Sequence, residues 1–140
     1  MPRMPRQLTD KARQFLEEQR FAVLATINAD GTPQQSPVWY ELQGDEIMMN
    51  TRRGRLKDRN LQRDPRCSIC VEGQYDWITI RGTVRFIDDP ETAQADIKHL
   101  AVINHGPEIA DRLVANQYSR EHRVTIRLSI EEVTGENLDD

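Results

Sequence analysis

No apolar run in this sequence approaches the roughly 20 residues that a helix needs to cross a bilayer. The opening Met1-Pro2-Arg3-Met4-Pro5-Arg6 also lacks the apolar stretch of a signal peptide. The expectation is a cytoplasmic protein with no membrane partner. Cysteine is scarce too. Cys67 and Cys70, the only pair, form a lone C-x-x-C within Arg66-Cys67-Ser68-Ile69-Cys70-Val71-Glu72. That stretch alternates like a strand, and residues three apart on a strand point to opposite faces. There is no second C-x-x-C, and His99, His105 and His122 lack ligand spacing relative to the cysteines. The cysteines read as structural, and no metal is expected. A Walker-type loop and a visible Ser-His-Asp set are missing as well, so no catalytic residue is assigned.

What is present is an acidic chain of 140 residues, with 23 acids against 19 bases and a net charge of -4. That length is one domain's worth, 1–140. An apolar fraction of 37% beside 30% charged residues fits a folded protein with a charged surface. The acidic balance argues against a nucleic-acid partner, whose usual protein footprint is basic. One segment breaks the rule. Between Thr51 and Arg66 stand Arg52, Arg53, Arg55, Lys57, Arg59, Arg63 and Arg66 against only Asp58 and Asp64, a local +5 that leaves -9 for the rest. The run follows a predicted strand, Glu46-Ile47-Met48-Met49-Asn50-Thr51, has Gly54 in the connection, and precedes a short amphipathic helix. Strand, loop and helix start form a phosphate site when backbone N–H groups and the positive end of the helix dipole converge. The bland alternative is a solvated helix face partnered by Asp58 and Asp64.

Around this segment the periodicity predicts a first helix over residues 9–19, capped by Thr9 or Asp10, with Ala12, Phe15 and Leu16 buried. Residues 21–28 are apolar on nearly both faces, as in a central strand. Asp30-Gly31 marks a hairpin into a strand over 33–42, and Gly44-Asp45 turns into the strand at 46–51. Further strands are predicted at 67–72, 77–87 and 123–130. Ile78, Ile80, Val84 and Phe86 share a face of the long one, and Gly82 on that face signals a bend or a close approach. Asp89-Pro90-Glu91 starts a helix with Ala93, Ile97, Leu100 and Ala101 inward, and Gly106-Pro107 closes it and opens another that ends near Tyr118. Residues 131–140 read as a strand end and a frayed terminus. Six strands joined mostly by hairpins predict a mostly β protein, a six-stranded antiparallel barrel with flanking helices.

The pattern resembles the split β-barrel flavin- and deazaflavin-binding proteins related to pyridoxamine 5'-phosphate oxidase. The resemblance covers nearly the whole chain. It runs from Phe21-Ala22-Val23-Leu24-Ala25-Thr26 through Asp30-Gly31-Thr32-Pro33-Gln34-Gln35-Ser36-Pro37-Val38-Trp39 to Ile80-Arg81-Gly82-Thr83-Val84. It is strongest in Asn50-Thr51-Arg52-Arg53-Gly54-Arg55-Leu56-Lys57-Asp58-Arg59-Asn60-Leu61. Within the family it looks like the branch that uses coenzyme F420, an 8-hydroxy-5-deazaflavin with a phospholactyl-polyglutamate tail; the oxidase branch binds FMN through a similarly placed segment. The resemblance implies a homodimer with cofactor sites at the interface. It further implies that Arg55 and Lys57, with Leu56 between them, hold the cofactor phosphate. Arg59 and Asn60 would support the loop or tail, and Asn50 and Thr51 would contribute from the strand end. Gln35, Ser36, Pro37 and Val38 would line the ring, with Trp77 and Ile78 closing the pocket or entering from the neighbouring subunit.

The chemistry is compatible. Arg55 offers a flat fork and Lys57 a mobile point charge, and a polyanionic tail suits a long basic groove. Hydride transfer needs no protein nucleophile, because the cofactor carries the reactive carbon. Three functions follow: an F420-dependent oxidoreductase acting on a small conjugated molecule such as an enone, quinone or tetrapyrrole; an FMN-binding oxidoreductase; and a non-catalytic carrier of F420 or flavin. Trp39 and Trp77 read equally as packing. Tyr118 and His122 could reach a substrate pocket, but surface or interface packing is the preferred reading.

Overall fold

The structure, a computed structural model, describes residues 8–18 and 21–136. Helix α1 (Asp10–Glu18) begins where the Thr9 hydroxyl accepts the Ala12 amide at 2.9 Å, and it buries Ala12, Phe15 and Leu16. The predicted extension of this helix to Gln19, and the end of the acidic tail, lie outside the described residues. The strands are β1 (Phe21–Ile27), β2 (Pro33–Trp39), β3 (Glu41–Gln43), β4 (Glu46–Arg52), β5 (Arg66–Glu72), β6 (Trp77–Ile87), β7 (Arg123–Ser129) and β8 (Glu132–Glu136). Helix α2 (Leu56–Arg63) follows β4. Helices α3 (Pro90–His105) and α4 (Pro107–Asn116) stand between β6 and β7, with a short 3-10 turn at Tyr118–Arg120.

All pairings are antiparallel, in the order β2-β1-β5-β6-β7-β4-β3, with β8 also on β6. The sheet curls into a split β-barrel around Leu24, Ile47, Met49, Ile69, Ile80, Ile126 and Leu128. The expected six strands become eight for two local reasons. The segment expected as one strand over 33–42 breaks at Tyr40. There the chain leaves β1 for β4, and the Tyr40 hydroxyl, buried, donates to the Leu16 carbonyl at 2.8 Å. The residues read as a strand end continue past β7 as β8. Val84 pairs with Leu128 and Arg81 with Glu132, so Ser129, Ile130 and Glu131 stand opposite only Gly82 and Thr83. That is a β-bulge, and it bends the strand that joins the barrel halves.

Two further expectations need correction. Strand β1 pairs on both edges but buries only one face, leaving Phe21 64% and Val23 38% exposed. Strand β7, read as alternating, is buried on both faces over Arg123-Val124-Thr125-Ile126. Helix α3 lies across it: the Thr125 hydroxyl donates to Asp96 at 2.6 Å, and Asn50 on β4 donates to the Ala93 carbonyl at 2.9 Å. The start of α3 is as expected, with Asp89 accepting from the Thr92 amide and Pro90 in the first turn.

The C-x-x-C sits on β5 with Cys67 buried and Cys70 exposed, on opposite faces. Burial, with Glu131 nearby, pushes the Cys67 thiol up to about 12. Iodoacetamide at neutral pH is therefore expected to leave Cys67 unmodified in the folded protein and to label it once denaturant is added. Peptide mapping by mass spectrometry checks this. No helix among the described residues is long and apolar enough to cross a membrane.

Candidate functional site

The loop between β4 and α2 is built by a buried carboxylate. Asp58 on the first turn of α2 is fully buried. One of its oxygens accepts the Gly54 amide at 2.8 Å, and the other accepts Arg53 Nη1 at 2.6 Å and the Gln62 amide at 3.1 Å. Gly54 has φ of 93°, a turn conformation that side chains resist. Arg53 also pairs with Asp88 at 3.2 Å and lies 4.8 Å above the Phe86 ring. Arg53 and Asp58 thus shape the loop. Asp58→Ala would remove a buried carboxylate that holds three donors, leaving the Gly54 amide without that acceptor and the half-buried Arg53 guanidinium with Asp88 alone. A destabilisation of about 3 kcal/mol is expected, measured by urea unfolding.

The basic island divides in the fold. Arg52 pairs with Glu121 at 3.6 Å, Arg53 with Asp58 and Asp88, and Arg66 with Asp64 at 2.8 Å. Arg63 donates to the Ile27 carbonyl and to Asn60. The long basic groove expected from the sequence is shortened accordingly. Both Arg55 and Lys57 border a cavity of about 330 Å³. Asn50 and Thr51 from the end of β4 form its polar floor with Arg123 from the start of β7, and Pro37 and Val38 come from β2. Phe21, Trp39, Ile97, Leu100 and Tyr118 supply an apolar wall, with Gln117 beside it.

Three cations, Arg55, Lys57 and Arg123, line this cavity. Lys57 Nζ lies 3.4 Å from the Ser36 hydroxyl, and burial together with Arg55 and Arg123 holds its pKa below the usual lysine range. Burial likewise lowers that of Arg123, against the opposing pull of Glu121. Among the described residues no acid lines the cavity. The Thr51 hydroxyl is buried with no hydrogen-bond partner among the described residues.

Residues 8–136 match the family described as pyridoxamine 5'-phosphate oxidase. The chain belongs to this family. A pyridoxamine 5'-phosphate oxidase family fold is an oxidoreductase-type scaffold, and solved structures share its architecture. An F420 reductase superposes with a TM-score of 0.75 at 25% identity, over 87% of this chain and 94% of that one. The conserved hypothetical protein Rv2991 from Mycobacterium tuberculosis gives 0.74 at 24% identity, over 96% and 88%. HutZ, a heme storage protein from Vibrio cholerae, gives 0.68 at 19% identity, over 92% and 94%.

Of the residues singled out in the sequence, this family fold brings Pro37, Val38, Asn50, Thr51, Arg55 and Lys57 to one cavity, with Ser36 held against Lys57. Others lie elsewhere. Gln35 is exposed on β2, Leu56 is 44% exposed at the start of α2, and Arg59 is exposed beyond the lining. Asn60 is buried and donates to Thr26 at 3.0 Å and Asn28 at 2.9 Å, tying α2 to β1. Ile78 is in the barrel core, and Trp77 is 38% exposed on β6; neither lines the cavity. Sequence reasoning missed Arg123 and the apolar wall from α3. Their only signal was long-range: β7 pairs with β4, which sets Arg123 opposite Arg52.

Proposed function

We propose that this chain is an F420-dependent oxidoreductase that passes a hydride from reduced coenzyme F420 to a small conjugated substrate of enone, quinone or tetrapyrrole type. The observation that carries this reading is the convergence of Arg55 and Lys57 on a cavity that no acid lines among the described residues and whose side is apolar. Arg55 and Lys57 bind the phosphate. Pro37 and Val38 pack the flat ring, and Trp39, Leu100 and Tyr118 keep water from the reacting face. When bound, the reduced deazaflavin supplies the hydride; the chain supplies position and exclusion.

A second reading, FMN in the same cavity, is supported by the partnering of Arg52, Arg53, Arg63 and Arg66 with groups of this chain, which leaves a compact cation cup. A cytoplasmic homodimer is part of the proposal. Phe21, Val23, Pro37, Cys70, Thr79 and Trp77 share one outward sheet face through the registers of β2, β1, β5 and β6. Phe21 and Pro37 also border the cavity, so a second copy on that face would close it. Light scattering is expected to give twice the monomer mass; a monomer overturns that part.

Turnover of reduced F420 against a panel of enones and quinones tests the activity. Oxidation of reduced F420 that depends on both protein and acceptor is expected. Binding with no turnover on any acceptor would make the chain a carrier.

A further inference from the structure

Arg123 carries an inference that the positions of Arg55 and Lys57 alone do not. It opens β7, is 7% exposed and lines the cavity. Its guanidinium is held from two sides: Nε donates to Asn50 Oδ1 at 3.0 Å, and Nη1 donates to Glu121 at 3.1 Å. The plane lies over Tyr118, 5.0 Å from the ring centroid. Asn50 is itself fixed, donating to the Ala93 carbonyl at 2.9 Å and to the Thr125 hydroxyl at 3.4 Å, while that hydroxyl donates to Asp96. The amide of Asn50 is therefore spent on the protein. Its place at the strand end acts through Arg123 rather than on a ligand.

A structural tie to Glu121 explains why Arg123 tolerates burial. It does not explain why a buried arginine shares a cavity with the half-buried Lys57 and the exposed Arg55, since like charges set beside a buried one cost free energy unless an anion joins them. Glu121 cannot neutralise all three, because it also pairs with Arg52 at 3.6 Å. The two bonds to Asn50 and Glu121 leave the rest of the guanidinium donors for a ligand. The unpartnered Thr51 hydroxyl belongs to the residue beside Asn50 on the same floor.

We propose that Arg123, positioned by Asn50 and Glu121, is a third oxyanion-binding residue of the cavity and takes the cofactor phosphate together with Arg55 and Lys57. This rests on the reading of the cavity as a phosphate-bearing cofactor's site.

The test compares each cofactor with its phosphate-free form: FMN with riboflavin, and F420 with the deazaflavin that lacks phosphate and tail. Affinities are measured by fluorescence titration of the full-length wild type, Lys57→Ala, Arg123→Lys and Arg123→Gln, with thermal melts to confirm folding. Arg123→Gln is expected to narrow the affinity gap between phosphorylated and phosphate-free forms by tenfold or more, and to flatten its salt dependence. Arg123→Lys should keep the salt dependence at reduced affinity, because the charge remains and the fork is lost. If Arg123→Gln weakens both forms equally, or neither, while Lys57→Ala narrows the gap, Arg123 is structural and the proposal is wrong. If wild type binds no phosphorylated form, the proposal falls with the reading beneath it. Should Arg123→Gln not fold, Arg123→Lys carries the test: a narrower gap with its salt dependence kept is expected, and an unchanged gap overturns the assignment.

Discussion

Lys57→Ala is expected to weaken cofactor binding by about 10- to 100-fold while the protein stays folded, as a charge-assisted hydrogen bond of about 1.5–3 kcal/mol is lost. The two halves of this expectation have separate causes. Among the described residues the Lys57 ammonium hydrogen-bonds only the Ser36 hydroxyl, at 3.4 Å, and its charge is disfavoured by burial and by Arg55 and Arg123. Removing it relieves repulsion and leaves no buried carboxylate unpaired, so the thermal midpoint should hold or rise slightly. The same features make the ammonium available to an incoming anion. A pH dependence follows with a definite sign. The protonated form binds the anion, and the free-state pKa lies below the usual lysine value of 10.5. Wild-type affinity should therefore decline as pH rises, starting below the range of an ordinary lysine, and this decline should be lost in Lys57→Ala. Fluorescence titration over a pH series, with thermal melts of both proteins, checks both halves.

Gly82→Ala is expected to cost at least about 3 kcal/mol, at the upper end for overpacking, and to lower the yield of folded protein. A Cβ built on Gly82 would lie 1.8 Å from the Ser129 carbonyl oxygen and 3.2 Å from Leu128. The first of these is backbone inside the bulge, so no rotamer change relieves it. The Ser129 hydroxyl already donates to the Thr83 carbonyl at 3.1 Å, and the Glu131 amide donates to the Arg81 carbonyl at 3.0 Å, fixing the bulge on both sides of the glycine. Relief requires β6 to part from β7 and β8 at the place where the barrel halves join. Urea denaturation measures the loss; a variant as stable as wild type would mean that the strands separate there without cost.

The long strand β6 was legible because its apolar residues alternate over 11 positions, and the misfit of Gly82 in that pattern marked a real close approach. The helix start at Asp89-Pro90 and the opposed faces of Cys67 and Cys70 were legible for similar reasons, since each depends on neighbours in sequence. What escaped depends on distant partners. Tyr40 breaks a strand only because Leu16 and β4 pull the chain two ways. Arg123 and Thr125 look like the polar side of an alternating strand, and only partners on other elements enclose them: Asp96 of α3 meets Thr125, while Asn50, Glu121 and Tyr118 surround Arg123. The charge island held two answers at once. Asp58 and Asp64 do partner arginines, as the bland reading had it, and the cations left facing the cavity are Arg55 and Lys57. A local count of +5 could not show which charges the fold would spend on itself.

Binding of F420 in the cavity at the start of α2 is the proposal on which the other expectations rest. Titrating the purified protein with F420 and with FMN under matched conditions, at low and high salt, tests it most directly. Tighter binding of F420 than of FMN, strongly weakened by salt, is the expected result. Tight FMN binding with no measurable affinity for F420 would contradict it.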